Sequence, residues 1–162
     1  MKLNQSTYLT NFQLEHKLVE HKLVPAWKRM ISRGNQSFDT GKLHAAENYY
    51  EIACNLACDI CPKGTKSSSD IASLLVSYQN LAELYFNTNQ NNLGLSQYQK
   101  LHEKLVESCQ GQQSSESLFL IQKAIRKIGT ELMYILKKKA INTLSSKQVI
   151  ANITATEKLQ LH

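Results

Sequence analysis

An all-α protein built from antiparallel helical hairpins is what this sequence predicts, on three observations. Apolar residues recur at intervals of three and four along five successive segments, the spacing that lines one face of a helix. The segments are separated by polar breaks short enough to make sequential helices antiparallel neighbours. No segment sustains the period-2 alternation of a strand, and 162 residues hold only 6 Gly and 2 Pro, few for a turn-rich β-protein.

Along the chain, residues 1–24 form an N-terminal extension, helical or poorly ordered. Pro25 reads as the first residue of a helix through Phe38, with Trp27, Met30, Ile31 and Gly34 at helical spacing, because proline is tolerated where the amide has no partner. After Asp39-Thr40-Gly41, a second helix carries Leu43, Ala46, Tyr49, Tyr50, Ala53 and Leu56 and stops near Pro62-Lys63-Gly64. Asp70 reads as the N-cap of a third helix holding Leu74, Tyr78, Leu81, Ala82 and Tyr85 on one face. The polar turn from Asn87 to Asn92 leads to a fourth helix with Leu95, Tyr98, Leu101, Leu105 and Val106. A polar linker over 110–117 precedes a long fifth helix whose stripe of Leu118, Ile121, Ile125, Ile128, Leu132 and Leu136 opposes Lys123, Lys127, Lys137 and Lys138. Ser145-Ser146 reads as the cap of a last helix with Val149, Ile153 and Leu159.

The first two hairpins share a pattern. Gly34, Gly41, Ala46, Tyr50 and Ala53 in the first correspond to Ala82, Asn89, Gly94, Tyr98 and Leu101 in the second. A small residue on the first helix lets the second helix approach, the turn residue takes a backbone shape that glycine favours, and the small–aromatic series interlocks. In these residues the chain resembles the tetratricopeptide-repeat family over Trp27 to Cys109. It departs from that pattern at Ser37, where a large aromatic is usual, and at Asn89, where the turn glycine is usual. The two hairpins lie 48 residues apart against about 34 for that repeat, a surplus expected as a loop insertion near 58–70. Pro25-x-Trp27, two hairpins, a polar linker and a long last helix are also similar to a small family of uncharacterised gammaproteobacterial proteins to which no activity is assigned. The first resemblance implies a short right-handed array over 25–109, with residues 118–162 as a helical cap. An irregular helical bundle is the alternative.

Composition excludes several classes. An apolar fraction of 42% and a charged fraction of 20% are those of a folded globular domain. No apolar run approaches the roughly 20 residues of a membrane span, and Met1 to Ser6 is followed by no apolar stretch of a secretory signal, so a cytoplasmic protein with no membrane partner is expected. Residues 110–162 hold eight basic against three acidic residues, which makes the last third the basic part of a chain of net charge +6.

Candidate chemistry is sparse. In the cytoplasm the four cysteines are expected as thiols. Cys54-x3-Cys58-x2-Cys61 has the spacing of the cluster-binding motif of radical enzymes that use S-adenosylmethionine, but Cys54 and Cys58 fall inside a predicted helix rather than on a loop after a strand. Cys58 and Cys61 make one zinc knuckle that Cys109 or His102 could complete; one pair without a second is little basis for a metal site. Gly64-Thr65-Lys66-Ser67 lacks the opening glycine of a phosphate loop. The tandem Glu15-His16-Lys17-Leu18-Val19 and Glu20-His21-Lys22-Leu23-Val24 has a period of five, which turns its halves to different faces. His44 and His102 have no evident catalytic partner and the acids are scattered, so no enzyme and no cofactor is expected.

The expected function is therefore protein–protein interaction, with a groove or apolar edge that takes a peptide or partner helix. The residues expected to face a partner are Lys28, Asn35 and Asp39 on the first helix and Ser77, Asn80, Glu83 and Asn87 on the third. The alternative is nucleic-acid binding through Lys123, Arg126, Lys127, Lys137, Lys138 and Lys139, with Tyr134 as the one nearby aromatic. Self-association is open, because a short array leaves apolar ends.

Overall fold

The computed structural model describes residues 5–61, 67–111 and 114–159, and the side chains of 22–61, 67–111 and 114–156. These form six helices: α1 (Gln5–Asp39), α2 (Leu43–Ile60), α3 (Ser68–Asn87), α4 (Asn91–Ser108), α5 (Ser115–Lys138) and α6 (Leu144–Leu159). The described residues contain no strand, as the missing alternation predicts. Helices pair as α1–α2, α3–α4 and α5–α6, and α2 and α4 each pack against the next hairpin.

The three hairpin turns use one device. Backbone N–H groups of Lys42, Gln90 and Ile141 donate to carbonyls five residues back, on Ser37, Tyr85 and Leu136, at 2.8, 2.8 and 2.9 Å. The residue before each donor sits in the left-handed region, Gly41 at φ 72°, Asn89 at φ 59° and Ala140 at φ 54°. This is the helix end in which a left-handed residue lets the orphan carbonyls of the last turn find donors. Asn89 thus fills the glycine slot because its short polar side chain tolerates that conformation. Thr40 and Thr88 repeat too, each hydroxyl donating to the carbonyls three and four residues back.

Several boundaries differ from expectation. Pro25 lies inside α1 and does not open it. A proline removes one intrahelical hydrogen bond and crowds the carbonyl four residues back, but it does not end a helix whose flanks both hold. The side chains of the tandem duplication before Lys22, His16 and His21 included, lie outside the described residues. Ser67, not Asp70, caps α3: its hydroxyl accepts from the Asp70 amide at 3.2 Å, and the Asp70 carboxylate accepts from the Ser67 amide at 2.8 Å. That reciprocal box satisfies two orphan amides, and Asp70 is its inner partner. Thr143 and Ser146 exchange the same pair of bonds ahead of α6, so Thr143 takes the position expected of Ser145. Helix α5 begins at Ser115, shortening the polar linker, and Ser117 is buried.

The 48-residue spacing arises differently from the expected insertion. Helices α2 and α3 run 18 and 20 residues and only seven residues separate them, so the surplus lies mainly in helix length. Cys54 and Cys58 are accordingly on α2. The phosphate-loop reading at Gly64 to Ser67 falls largely on residues outside the described set.

One core runs through all three hairpins. Tyr50 and Ala57 from α2, Leu81 and Phe86 from α3, Leu101 from α4, Ile128 and Leu132 from α5 and Ile153 from α6 are all part of it. Close approach within a hairpin depends on two glycines. A Cβ added at Gly34 would stand 2.4 Å from the Tyr50 ring, and one at Gly94 2.9 Å from the Phe86 ring. Helix α3 is the central element: side chains from nearly its whole circumference are buried, leaving a narrow outward strip.

Candidate functional site

That strip forms one wall of a groove of about 670 Å³ between α3 and α5. Helix α3 contributes Gln79, Asn80, Glu83 and Asn87; α5 contributes Thr130, Glu131, Tyr134, Ile135 and Lys138. Phe86 and Tyr98 lie at its base, their ring centroids 6.4 Å apart. The groove is thus apolar below and polar at both rims, the usual make-up of a binding cleft. A second hollow of about 160 Å³ lies between the first turns of α3 and the first half of α5, lined by Ile71, Leu75, Leu120, Lys123 and Lys127 among others.

At the end of the groove nearer this hollow, Gln79 Nε2 donates to Glu131 Oε2. Gln79 also hydrogen-bonds the Tyr98 hydroxyl, and Lys127 Nζ lies 3.6 Å from Glu131 Oε1. The Tyr98 phenol is held well above its usual range, by burial first and by the Glu131 and Glu83 carboxylates next. It is uncharged at physiological pH.

At the C-terminal end of α3, Lys139 Nζ donates to the Phe86 carbonyl at 3.0 Å and to Asn87 Oδ1 at 3.4 Å. A cation placed on the last carbonyls of α3 is favoured by the helix dipole. Lys139 thus ties the end of α5 to the end of α3, and it remains exposed. Lys138 lies over the Tyr134 ring at 5.9 Å.

Of the residues expected to face a partner, Asn80, Glu83 and Asn87 line this groove. Asn35 joins them from α1, its Oδ1 accepting from Asn80 Nδ2 at 3.2 Å and from the Tyr50 hydroxyl at 2.9 Å. Asp39 is exposed at the end of α1, and Lys28 is exposed on the same face toward the N-terminus. Burial, then the Glu83 and Asp39 carboxylates, push the Tyr50 phenol up to about 12. Ser77 does not belong to the surface. It is fully buried, accepts from Trp27 Nε1 at 2.8 Å and donates to the Ser73 carbonyl at 2.7 Å. Its position resembled that of Asn80 in sequence, but α2 covers that side of α3.

The basic set stays exposed, Lys138 and Lys139 with the rest. Lys123, Arg126, Lys127 and Lys137 are exposed along α5 with Phe119 and Tyr134, which are 58% and 64% exposed. Sequence spacing identified Tyr134 but not Phe119, which stands one turn before Lys123. Thr130 and Ile135 of the groove were also missed, since neither residue type signals a site.

The thiols are spread through the core. Cys54 is buried, and that burial, reinforced by Cys58 and Glu51, pushes its thiol up to about 12. Cys58 Sγ lies 3.5 Å from the Tyr78 hydroxyl, and Cys109 Sγ donates to the Leu105 carbonyl at 3.6 Å. Among the described residues no three His, Cys, Asp or Glu side chains are grouped to hold a metal ion, so Cys58, Cys61 and Cys109 are not assembled as ligands. His102 is not aimed at them; it pairs with Thr156 of α6 at 2.9 Å.

No described helix is long and apolar enough to cross a membrane. No curated protein and no solved structure gives a significant match to the chain. A family model described as a protein of unknown function, DUF2753, matches residues 25–161, which is most of the chain, so this chain belongs to that family.

Proposed function

We propose that this chain is a non-enzymatic interaction module of the tetratricopeptide-like kind, acting in the cytoplasm, whose α3–α5 groove receives a segment of a protein partner. The observation that carries the reading is the pairing of an apolar base, Phe86 and Tyr98, with amide side chains at one rim and Lys138 at the other. Asn80 and Asn87 can each donate to and accept from a peptide backbone. The turns repeated at Gly41 and Asn89 support the repeat character. The test is affinity purification of the tagged chain beside an Asn80→Ala/Asn87→Ala variant, with quantitative mass spectrometry. A protein enriched on the parent chain and depleted on the variant supports the reading; identical recoveries contradict it.

Nucleic-acid binding is the second reading, favoured by the exposed Phe119 and Tyr134 on the same stripe as Lys123, Arg126 and Lys137. Aromatic faces among lysines are how single strands are held. Binding of this kind weakens steeply with salt and needs Lys123, Arg126 and Lys137 together.

A further inference from the structure

The groove and the smaller hollow lie on one crease. Ser68, Ile71, Ala72 and Leu75 face Leu120, Lys123 and Lys127 at its beginning, and Asn80 and Asn87 face Tyr134 and Lys138 at its end. Helices α3 and α5 therefore run in the same direction along it. The Gln79–Glu131 hydrogen bond crosses the crease at the end of the groove nearer the smaller hollow, so a polar bridge precedes the apolar base at Phe86 and Tyr98.

Its charge is lopsided. Lys123, Lys127 and Lys138 stand along the α5 rim, with Arg126 one step further out. Against them are two carboxylates. Glu131 is already engaged by Gln79 and Lys127, and Glu83 is exposed at the opposite rim. The Lys127–Glu131 pair is exposed and so holds Lys127 only weakly. The α5 side of the crease is thus a row of cations beside apolar sockets.

Resting on the reading of this crease as a peptide site, we infer that its partner is an acidic, extended segment carrying two apolar anchors four residues apart, a spacing that turns both to one face. The centres of the sockets, near Ala72 and Glu83, are eleven residues apart on α3, about 16 Å at 1.5 Å per residue. An extended chain places side chains four residues apart on one face, about 13 Å from each other, and anchors splayed outward cover the remainder. One anchor enters beside Ile71 and Leu120, and the other sits over Phe86 and Tyr98. Acidic side chains between and beyond them meet Lys123, Lys127 and Lys138, while the backbone passes Asn80 and Asn87. Charge complementarity of this type sets specificity and association rate more than affinity.

The test is fluorescence anisotropy of the full chain with labelled synthetic ten-residue peptides. The reference peptide has leucine at its third and seventh positions in an Asp/Glu background. Others replace the acids by Gln, replace them by Lys, or move the leucines to adjacent positions. A uridylate ten-mer serves as the nucleic-acid probe. The inference expects the reference peptide to bind at least tenfold more tightly than the Gln and Lys peptides and than the shifted one. It expects binding to weaken severalfold between low and moderate salt as the rim charges are screened. A folded Lys127→Gln/Lys138→Gln variant loses most of the affinity, whereas Lys42→Gln/Lys147→Gln, on other faces, keeps it. Equal binding of the acidic and Gln peptides overturns the acidic partner while leaving the groove reading intact if Asn80→Ala/Asn87→Ala still weakens both. Failure of every peptide to bind, or tighter binding of the uridylate with displacement of the reference peptide, overturns the inference; the purification experiment judges the groove reading separately.

Discussion

Trp27 Nε1 donates a hydrogen bond to Ser77 Oγ at 2.8 Å, joining α1 to α3 across fifty residues of sequence. Ser77 is fully buried and passes its own proton to the Ser73 carbonyl, so one hydroxyl serves a donor and an acceptor inside the hairpin joint. Replacing it by alanine leaves the half-buried indole N–H without this partner. The Ser77→Ala protein is expected to lose about 1–2 kcal/mol, the cost of an unmade buried hydrogen bond. Thermal unfolding followed by circular dichroism checks this. A change within error would show that the indole finds another acceptor.

Packing within the first hairpin depends on a missing side chain. A Cβ at Gly34 would lie 2.4 Å from the Tyr50 ring, a contact that forces the helices or the ring to move. Gly34→Ala should cost about 1–3 kcal/mol through overpacking. Pairing it with Tyr50→Leu should restore part of that loss, a coupling measurable by a double-mutant cycle. At Gly94 the corresponding clearance to the Phe86 ring is 2.9 Å, so Gly94→Ala is expected to cost less. Equal costs at both positions would contradict the geometric account.

The turns offer an opposite case. Ala140 holds φ 54° with a Cβ attached, while Gly41 holds φ 72° with open space where a Cβ would stand. Left-handed backbone costs an L-residue roughly 1–2 kcal/mol. Ala140→Gly should therefore raise the unfolding midpoint and Gly41→Ala should lower it, with Asn89→Gly close to neutral. Calorimetry on the three variants reads the signs directly.

His102 makes stability depend on pH. Thr156 Oγ1 donates its proton to the Asn152 carbonyl at 3.0 Å, so it accepts from His102 Nε2, which fixes the proton of the neutral ring on that nitrogen. Burial lowers the His102 pKa below the ordinary 6.5, with Glu103 opposing. In the unfolded chain the imidazole takes a proton near that ordinary value, whereas the folded protein takes it only at lower pH. The unfolded state thus binds more protons in this window, and stability falls as pH falls below about 6.5. The unfolding midpoint should drop between pH 7.5 and 5.5, less steeply in His102→Gln. Identical slopes for the two proteins would assign the pH dependence elsewhere.

The helices and their pairing were legible in the sequence because they depend on period and on breakers, which are local. The stripe Ile121, Ile125, Ile128 and Leu132 is buried as its spacing predicts. Pro25 was misleading because a proline signals a helix start only when nothing helical precedes it, and α1 already runs through it. Ser67 and Asp70 both suit an N-cap, and only the backbone path decides which is outer and which inner. Ser77 illustrates a deeper limit. A helix packed by neighbours on several sides buries polar positions that a single amphipathic stripe would leave outside. The groove was half legible for a related reason: Asn80, Glu83 and Asn87 lie on a periodic face of α3, but their opposite wall comes from α5, and periodicity does not show which helices meet.

The central claim, that the α3–α5 groove receives a protein partner, is tested most directly by photocrosslinking in the native cell. A photoreactive amino acid is placed at Glu83 in the groove or, as control, at exposed Gln99 on α4. The account predicts a discrete crosslinked protein adduct from the position of Glu83, reduced when Asn80 and Asn87 are also replaced by alanine, and none of the same mass from the position of Gln99. Adducts of the same mass from both positions, or none from the position of Glu83, would contradict it.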